Sequence, residues 1–399
     1  MRVVITGGGT GGHTSAGLAV AETLRSRGVE LSWIGSRDGV EARRVPAQGI
    51  EYHAVQSGKL RRYWDRQNVP DLLLRVPAGI FQSWRLLRRI RPDLLFATGG
   101  FVALPPVLAA RLCRIPVIVH EQVAGAGLAN RIAARFARRV AITFPSSATA
   151  FPRGKSVVTG NPLRPELTGS SREAALARLG LDATLPVVYL TGGAQGSHRI
   201  NRTVGEILEP LLGVTQIIHQ CGDNPATGDR AWLEDRLSRL DSAKRARYRL
   251  VPYVGKELRE VYAAAWLVVG RAGAGTVSEC CHLGLPGLFI PLGGASGDEQ
   301  TANARTVEAA GGALLLSESS LTPERLLDAI GSLLADPERL RAMGERAGTL
   351  AVPDAAGRIA DLIEAEIGLG GGHAPLPNLP QGLRGLRPRS NRESDRSAR

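Results

Sequence analysis

The chain has 399 residues, of which 43% are hydrophobic, and a formal net charge of +13. This length provides for two domains of ordinary size, and the four cysteines form no CxxC motif that would indicate a zinc or disulfide site. We therefore expect reduced thiols and a cytoplasmic protein. Residues 94–110 are uncharged but contain two glycines and two prolines, which excludes a transmembrane helix. Residues 1–6 lead directly into a glycine-rich turn, which indicates a first strand and not a signal peptide.

The positive charge is concentrated in the first part of the chain. Residues 1–165 contain 24 Lys and Arg against 9 Asp and Glu. This imbalance suggests that the first half meets a large anionic surface, either a membrane leaflet or a nucleic acid. A solvated basic face without a partner is the alternative.

Apolar runs alternate with amphipathic stretches and glycine-rich turns along the chain, which predicts an α/β fold with two doubly wound parallel sheets. The predicted strands lie at 1–6, 31–35, 94–98, 115–120, 140–144, 156–159, 185–190, 216–220, 248–254, 266–270 and 287–291. The stretch at 322–349 and the last stretch, 353–367, are predicted to be helical.

The first glycine-rich turn, Gly7 to His13, directly follows the first strand. Its glycines at 7, 9 and 12 form a GxGxxG pattern, which is a weak dinucleotide-binding signal when it stands alone. The expected acid at the end of the second strand is missing, because the chain there has Ser-Arg-Asp at 36–38. This favours an NADP oxidoreductase as one interpretation. A second interpretation is that His13 is a base, since the positive end of a helix dipole keeps an imidazole neutral. A capping or packing role is the third.

Residues 57–93 interleave arginines with aromatic and aliphatic side chains. Around residues 78–90 the apolar positions recur every three to four residues, which predicts an amphipathic basic helix. Such a helix suits docking on an anionic bilayer. A helix packed on the sheet, with its arginines in solvent, is the alternative.

The segment at 159–165 contains two prolines and a glycine and is the predicted hinge, with Arg164 facing a cleft. After it the chain repeats its opening pattern of strand, glycine turn and helix, with the second turn at 191–197. Two similar domains that face each other follow from this repeat. From residue 368 onward Gly, Pro, Arg and Ser dominate, which predicts a disordered tail.

The stretch from Arg271 to Ala304 predicts a second ligand site. The glycines at 273 and 275 are expected to let the backbone turn sharply beside a ligand, and Thr276 and Ser278 to cap or line the next helix. The N-terminus of that helix suits a phosphate, and Glu279 in its first turn suits a ribose diol. An ordinary capped helix is the alternative.

Short motifs of this chain, taken together over residues 1–365, resemble the enzymes of glycosyltransferase family 28 that convert lipid I into lipid II in peptidoglycan synthesis. The motifs are Gly7 to His13, Gly17 to Val20, Gly99 to Phe101, His120 to Gln122, Gly160 to Arg164, Gly192 to Gly196, Arg271 to Ala274, Thr276 to Glu279 and Gln300 to Asn303. The resemblance implies a GT-B fold. The domains expected on this basis are an acceptor- and membrane-facing domain at 1–163, a UDP-GlcNAc domain at 164–350 and a helix at 351–367 packing back on the first domain. The disordered basic tail at 368–399, expected from its composition, lies beyond the resemblance.

The resemblance also implies roles for individual residues. His13 is the implied base, with Thr10, Gly11 and Gly12 near the sugar and the acceptor. The implied donor contacts are Arg164 from the hinge, Ala194 and Gln195 in the second glycine turn, Val254 at the uracil, Ala274, Gly275, Thr276, Val277, Ser278 and Glu279 at the phosphates and ribose, and Gln300 at the GlcNAc hydroxyls.

The reaction implied is an inverting transfer of GlcNAc from UDP-GlcNAc to the MurNAc 4-hydroxyl of lipid I. No cofactor or metal is expected, which agrees with the lack of an Asp-x-Asp motif. The implied partners are UDP-GlcNAc, lipid I and the anionic inner leaflet, through residues 60–91, and no nucleic acid. The implied location is peripheral, on the cytoplasmic face of the cell membrane.

Three residues depart from the family pattern: Val123 replaces the usual Asn, Ala194 the usual Ser and Ala16 the usual Pro. They leave open a related glycosyltransferase with another lipid acceptor, such as diacylglycerol. A nucleotide-sugar-binding scaffold predicts UDP binding without turnover. The NADP oxidoreductase predicts NADPH binding to the first half, but it gives the motifs at Glu279 and Gln300 no role.

Overall fold

A computed structural model describes residues 1–58, 74–163, 167–293 and 298–368. It contains two parallel β-sheets of seven and six strands, each in its own α/β domain. The predicted fold class is therefore confirmed. Among the described residues, no helix has both the length and the apolar character that a membrane span needs.

The first sheet has the strand order β3-β2-β1-β4-β5-β6-β7, and all its strands are parallel. The order reverses between β1 and β4, where open α/β sheets bind their ligands. The strands are β1 Arg2–Thr6, β2 Glu30–Gly35, β3 Glu51–Ala54, β4 Leu94–Ala97, β5 Val117–Glu121, β6 Arg139–Ile142 and β7 Ser156–Val158. The helices are α1 Gly11–Ser26, α2 Val40–Arg44, α3 Val76–Ile90, α4 Leu104–Leu112 and α5 Leu128–Phe136.

The second sheet has the strand order β10-β9-β8-β11-β12-β13 and reverses between β8 and β11. Its strands are β8 Val187–Thr191, β9 Gln216–Gln220, β10 Tyr248–Val251, β11 Leu267–Gly270, β12 Gly287–Phe289 and β13 Ala313–Leu315. The helices are α6 Arg172–Leu179, α7 His198–Glu206, α8 Leu208–Val214, α9 Asp229–Ser238, α10 Ser242–Ala246, α11 Leu258–Ala264, α12 Ala274–Leu283, α13 Glu299–Ala309, α14 Pro323–Leu334 and α15 Pro337–Gly348.

The central strands are apolar on both faces. In β1, Val3 and Ile5 belong to one core cluster and Val4 belongs to the cluster on the opposite face. All three side chains are completely buried. This continuous apolar character is typical of parallel strands covered by helices on both sides, and it directs the polar residues to the strand ends.

The last described helix, α16 at Ala355–Gly368, packs against α1 of the first domain. Its Ile359 and Ile363 are completely buried in the core of the first sheet. Its buried Glu366 pairs with Arg139 at 2.8 Å. The chain therefore passes between the domains twice, once near residue 160 and once near residue 352.

The structure corrects three boundaries predicted from sequence. The strand predicted at 248–254 ends at Val251, so Val254 lies in the following loop. The helical stretch 322–349 consists of two helices, because Asp336 caps a new helix that begins at Pro337. Glu279 lies in the second turn of α12 and not in the first, because that helix already begins at Ala274.

Four parts of the sequence-based predictions lie outside the described residues. These are Arg164 and Pro165 at the end of the predicted hinge, residues 59–73 of the basic segment, residues 294–297 in the loop before α13, and the tail from 369.

Candidate active site

A large cavity of about 1480 Å³ lies between the two domains. The first domain lines it with the turn after β1, the segments after β2 and β3, and the ends of β4 and β5. The second domain contributes the N-terminus of α12, Gly273 to Thr276, and Glu299 at the start of α13. The two switch points of the sheets thus face one another across this space, as expected for a ligand site.

The first glycine turn brings His13 to the cleft. Thr10 caps α1, and its side chain accepts a hydrogen bond from the backbone N–H of His13. The Nδ1 atom of His13 lies 2.8 Å from the carbonyl oxygen of Thr98. Because a carbonyl only accepts, Nδ1 carries the proton and Nε2 is left with a lone pair in the neutral ring. That tautomer is the one a general base needs.

The glycine turn after β4 leaves room for the imidazole ring. Gly99 has a φ of +105°, and a Cβ there would lie 2.9 Å from Cε1 of His13 and 3.1 Å from Nδ2 of Asn130. A larger residue would therefore be strained and would displace the ring. Burial lowers the pKa of His13, while the hydrogen bond to Thr98 and the charge of Glu41 raise it. The ring is therefore neutral at neutral pH.

The end of β5 contributes a buried carboxylate to the same cavity. Glu121 accepts hydrogen bonds from the backbone N–H groups of Val123 and Gly127, at 3.2 and 3.1 Å, and from Nδ2 of Asn130 at 3.0 Å. Burial raises the pKa of Glu121 to about 7 in spite of these donors. Glu121 thereby holds the shape of the loop at 121–127. It contacts protein groups on both carboxylate oxygens.

His120, one residue earlier, is turned away from the cavity. It is completely buried, its Nε2 atom lies 3.1 Å from the carbonyl oxygen of Gly160, and burial lowers its pKa to about 4. The neutral ring therefore links the first domain to the segment that leaves it.

On the opposite wall, the N-terminus of α12 presents backbone N–H groups to the cleft. Gly273 caps the helix in an extended conformation without any side-chain cap. Neither Gly273 nor Gly275 has a positive φ, so the lack of a side chain, and not an unusual backbone conformation, distinguishes these two positions. A Cβ at either position would meet no atom within 4 Å, so this surface is open to a ligand. A helix N-terminus that has no capping side chain and faces a cavity is suited to bind an anion.

The other residues predicted on α12 have different surroundings. Val277 is completely buried, so only its backbone is available to a ligand. Ser278 faces a smaller cavity of about 230 Å³ beside the crossing segments and not the main cleft. Glu279 accepts a hydrogen bond from the hydroxyl of Tyr262 at 2.6 Å, which fixes the orientation of its carboxylate. Burial raises the pKa of Tyr262, so this hydroxyl stays protonated.

The second glycine turn follows β8 and exposes Ala194 and Gln195. Gln220, at the end of β9, connects this turn to Val254. Its Nε2 donates to the carbonyl oxygen of Gly193 at 2.9 Å, and its Oε1 accepts the N–H of Val254 at 2.8 Å. The backbone N–H of Val254 is therefore already engaged in this structure. Gln220 was not predicted as a site residue, although its place at a strand end was a signal.

Helix α13 belongs to the second domain and forms a hydrogen bond to the first. Oε1 of Gln300 accepts the N–H of Leu292 at 3.0 Å, which holds the loop before the helix. Asn303 is buried and makes two bonds: Oδ1 accepts the N–H of Ala124 in the first domain at 2.8 Å, and Nδ2 donates to the carbonyl of Ala272 at 3.1 Å. Asn303 thus ties the loop after β5 to the loop before α12.

Of the predicted site residues, Thr10, Gly12, His13, Ala274, Gly275 and Thr276 line the main cavity. Gly11 is exposed in the same turn. Ala194, Gln195, Val254, Val277, Ser278, Glu279 and Gln300 do not line it. Within the described ranges no cluster of three or more His, Cys, Asp or Glu side chains is arranged to hold a metal ion.

Two doubly wound domains that face each other across a cleft, with an imidazole on one wall and a helix N-terminus on the other, form the GT-B fold of glycosyltransferases. The N-terminal and C-terminal domain models of glycosyltransferase family 28 match residues 3–142 and 187–359. The chain belongs to glycosyltransferase family 28.

Relatives of known name cover most of the chain. A UDP-N-acetylglucosamine–N-acetylmuramyl-(pentapeptide) pyrophosphoryl-undecaprenol N-acetylglucosamine transferase of Lachnospira eligens is 37% identical over 84% of this chain and 91% of its own length. The protein of the same name from Halothermothrix orenii is 37% identical over 91% of this chain and 98% of its own length. The crystal structure of MurG from Acinetobacter baumannii superposes with a TM-score of 0.71 at 30% identity, covering 91% of this chain and 99% of that one.

Proposed function

We propose that this chain transfers GlcNAc from UDP-GlcNAc to the 4-hydroxyl of MurNAc in undecaprenyl-pyrophosphoryl-MurNAc-pentapeptide, with inversion at the anomeric carbon. The names of its relatives support the substrates. The observation that carries the chemistry is the tautomer of His13, whose Nε2 is the basic nitrogen because Nδ1 donates to the carbonyl of Thr98.

In the proposed reaction, Nε2 of His13 removes the proton of the acceptor hydroxyl. The hydroxyl oxygen then forms a bond to C1 of GlcNAc, and the bond from C1 to the β-phosphate oxygen breaks with its electron pair on UDP. The charge that develops on the leaving diphosphate is stabilised by the backbone N–H groups at Ala274 to Thr276. The cleft brings both groups to one cavity.

We further propose the donor contacts that the family motifs imply. Glu279, oriented by Tyr262, accepts hydrogen bonds from the ribose diol, and Gln300 binds the GlcNAc hydroxyls. Ala194, Gln195 and Val254 surround the uracil and phosphate side of the donor, together with Arg164. The proposed units are an acceptor domain at 1–163, a donor domain at 164–350, a bracing helix at 351–367 and a tail from 368.

We also propose that the protein is peripheral on the cytoplasmic face of the cell membrane. Helix α3 has arginines at 85, 88 and 89, and Phe81 on the same helix is 57% exposed. Just before the helix, Leu74 is 68% exposed. Exposed apolar side chains among basic residues suit the headgroup region of an anionic leaflet.

The direct test is the release of UDP from UDP-GlcNAc with and without a lipid I analogue. We expect release that depends on the analogue, and a loss of roughly a hundredfold or more in kcat for His13→Ala. His53→Asn is the matched control, because His53 lies on β3 beside Glu51 and does not line the cavity. UDP binding without analogue-dependent release contradicts the lipid I proposal. Release that depends instead on diacylglycerol identifies a different acceptor.

A further inference from the structure

Glu41 is a completely buried carboxylate beside the first glycine turn, and the reaction proposed above gives it no role. It is the second residue of α2. Its Oε2 accepts the N–H of Gly9 at 3.0 Å, and its Oε1 accepts the N–H of Ser36 at 3.2 Å and the hydroxyl of Ser36 at 2.5 Å. Each carboxylate oxygen therefore has at least one donor, which is what keeps a buried anion stable.

Three glycines make the space that this carboxylate occupies. A methyl group on Gly8 or Gly39 would overlap the carboxylate, and one on Gly35 would lie 2.9 Å from Cγ of Glu41. These glycines come from the turn after β1, the end of β2 and the cap of α2. Three separate segments of the chain thus each have a glycine where a side chain would collide with this one buried acid.

The carboxylate occupies a place that an external anion takes in dinucleotide-binding folds. In those folds the turn after β1 binds a phosphate through its N–H groups, and an acid after β2 points outward to a ribose. Here an acid after β2 points inward and accepts the N–H of Gly9 itself. This N–H is thereby not available to a cofactor phosphate, which disfavours the oxidoreductase interpretation.

The charge of Glu41 also acts on His13, which lies in the same turn. It raises the pKa of His13 against the stronger opposing effect of burial. When His13 accepts a proton it becomes a cation, and a fixed anion in a poorly solvated site favours that state. Among the described residues, the other charged or titratable groups around His13 and its cavity are Arg37 and Asp38 after β2, Arg75 before α3, His120 and Glu121 on β5, and Glu299 on α13.

We propose that Glu41 is a positioning residue of the transfer reaction. Its carboxylate fixes the first glycine turn by accepting the N–H of Gly9. Its negative charge stabilises the imidazolium that forms when His13 takes the proton from the hydroxyl of the acceptor substrate. This inference rests on the proposed role of His13 as the base.

The test compares Glu41→Gln with Glu30→Gln over a range of pH. Glu30 forms an exposed ion pair with Arg2 at the opposite end of β2, so its replacement removes the same charge far from the cleft. For Glu41→Gln we expect kcat to fall roughly ten- to a hundredfold and the acidic limb of the kcat/KM profile to move to lower pH. For Glu30→Gln we expect neither change.

An acidic limb that stays in place in a folded Glu41→Gln enzyme overturns the electrostatic role, and an unchanged kcat overturns the whole inference. If Glu41→Gln does not fold, Glu41→Asp takes its place, because it keeps the charge but is too short to reach both N–H groups. We then expect a lower kcat with the limb unmoved, and a kcat equal to that of the wild type overturns the positioning role.

An NMR titration of labelled His13 in the free enzyme measures the same electrostatic effect without any substrate. A lower pKa of His13 in Glu41→Gln than in the wild type supports the electrostatic role of Glu41, and an equal pKa overturns that role. Because this readout needs no turnover, it separates a failure of this inference from a failure of the proposed reaction. The latter shows instead as wild-type enzyme without lipid I-dependent UDP release.

Discussion

The pH dependence of the reaction is a property of one residue, His13. As a base it works only in the neutral form, so activity is expected to fall as the pH drops through its pKa. Burial lowers that pKa, so the acidic limb of kcat/KM for the acceptor should lie below the ordinary histidine value of about 6.5. The residual activity of His13→Gln should lack this limb. A wild-type limb well above that value contradicts the assignment.

A second prediction concerns the carboxylate of Glu279. Replacement by Gln removes a charged acceptor while keeping the size of the side chain, so UDP-GlcNAc should bind roughly ten- to a hundredfold more weakly. Titration calorimetry with UDP-GlcNAc measures this effect. Glu257→Gln is the control, because Glu257 forms an exposed ion pair with Arg249 and should bind the donor like the wild type. Equal affinities of both variants would remove Glu279 from the donor site.

Among individual residues, those that belong to a sequence motif could be predicted, whereas those whose role depends on being buried in the folded protein could not. His13 and the stretch 274–276 follow from glycine-rich turns next to apolar strands, and the structure brings them to one cavity. Glu41 was not predicted, and Asn303 was noted only as the end of a motif, because nothing local in the sequence shows which acid points inward or which amide reaches another domain. The sequence lacks an acid directly at the end of the second strand, and Glu41, a few residues later, lies inside the protein and not at its surface.

Among the elements, the strands were predictable and the helix limits less so. Parallel strands buried on both faces give short apolar runs that end at glycines, as β1, β8 and β11 show. The start of α12 depends on the backbone of Gly273, which needs no capping side chain. The sequence therefore suggested a later start at Thr276 and placed Glu279 in the wrong turn.

The last helix, α16, offers a test of element packing. Ile363 is completely buried against the first sheet, so Ile363→Ala should lower the free energy of unfolding by about 2–5 kcal/mol. Glu364→Ala on the same helix removes only a partly exposed contact with Arg27 and should cost less than about 1 kcal/mol. Urea unfolding measures both values. Equal effects would show that α16 does not contribute to the first core.

For the whole molecule, the prediction concerns lipid binding. Phe81→Ser should reduce sedimentation with vesicles that contain phosphatidylglycerol, because the exposed ring on α3 is removed from the basic face. Added salt should weaken binding of the wild type, since the arginines contribute through screened charges. Phe136→Ser is the control, because Phe136 is also exposed but lies on α5. An equal loss in both variants would mean that α3 is not the lipid-binding face.

The two passages of the chain between the domains lie side by side. A Cβ on Gly160 would be 2.7 Å from Cβ of Val352 and 3.1 Å from that of Ala355. Because these two connections are adjacent, the backbone rotations that change the relative orientation of the domains are concentrated in one small region of the molecule. The distance between Ala274 and His13, which lie on opposite walls of the cleft, therefore depends on the backbone conformation of a few residues far from either of them.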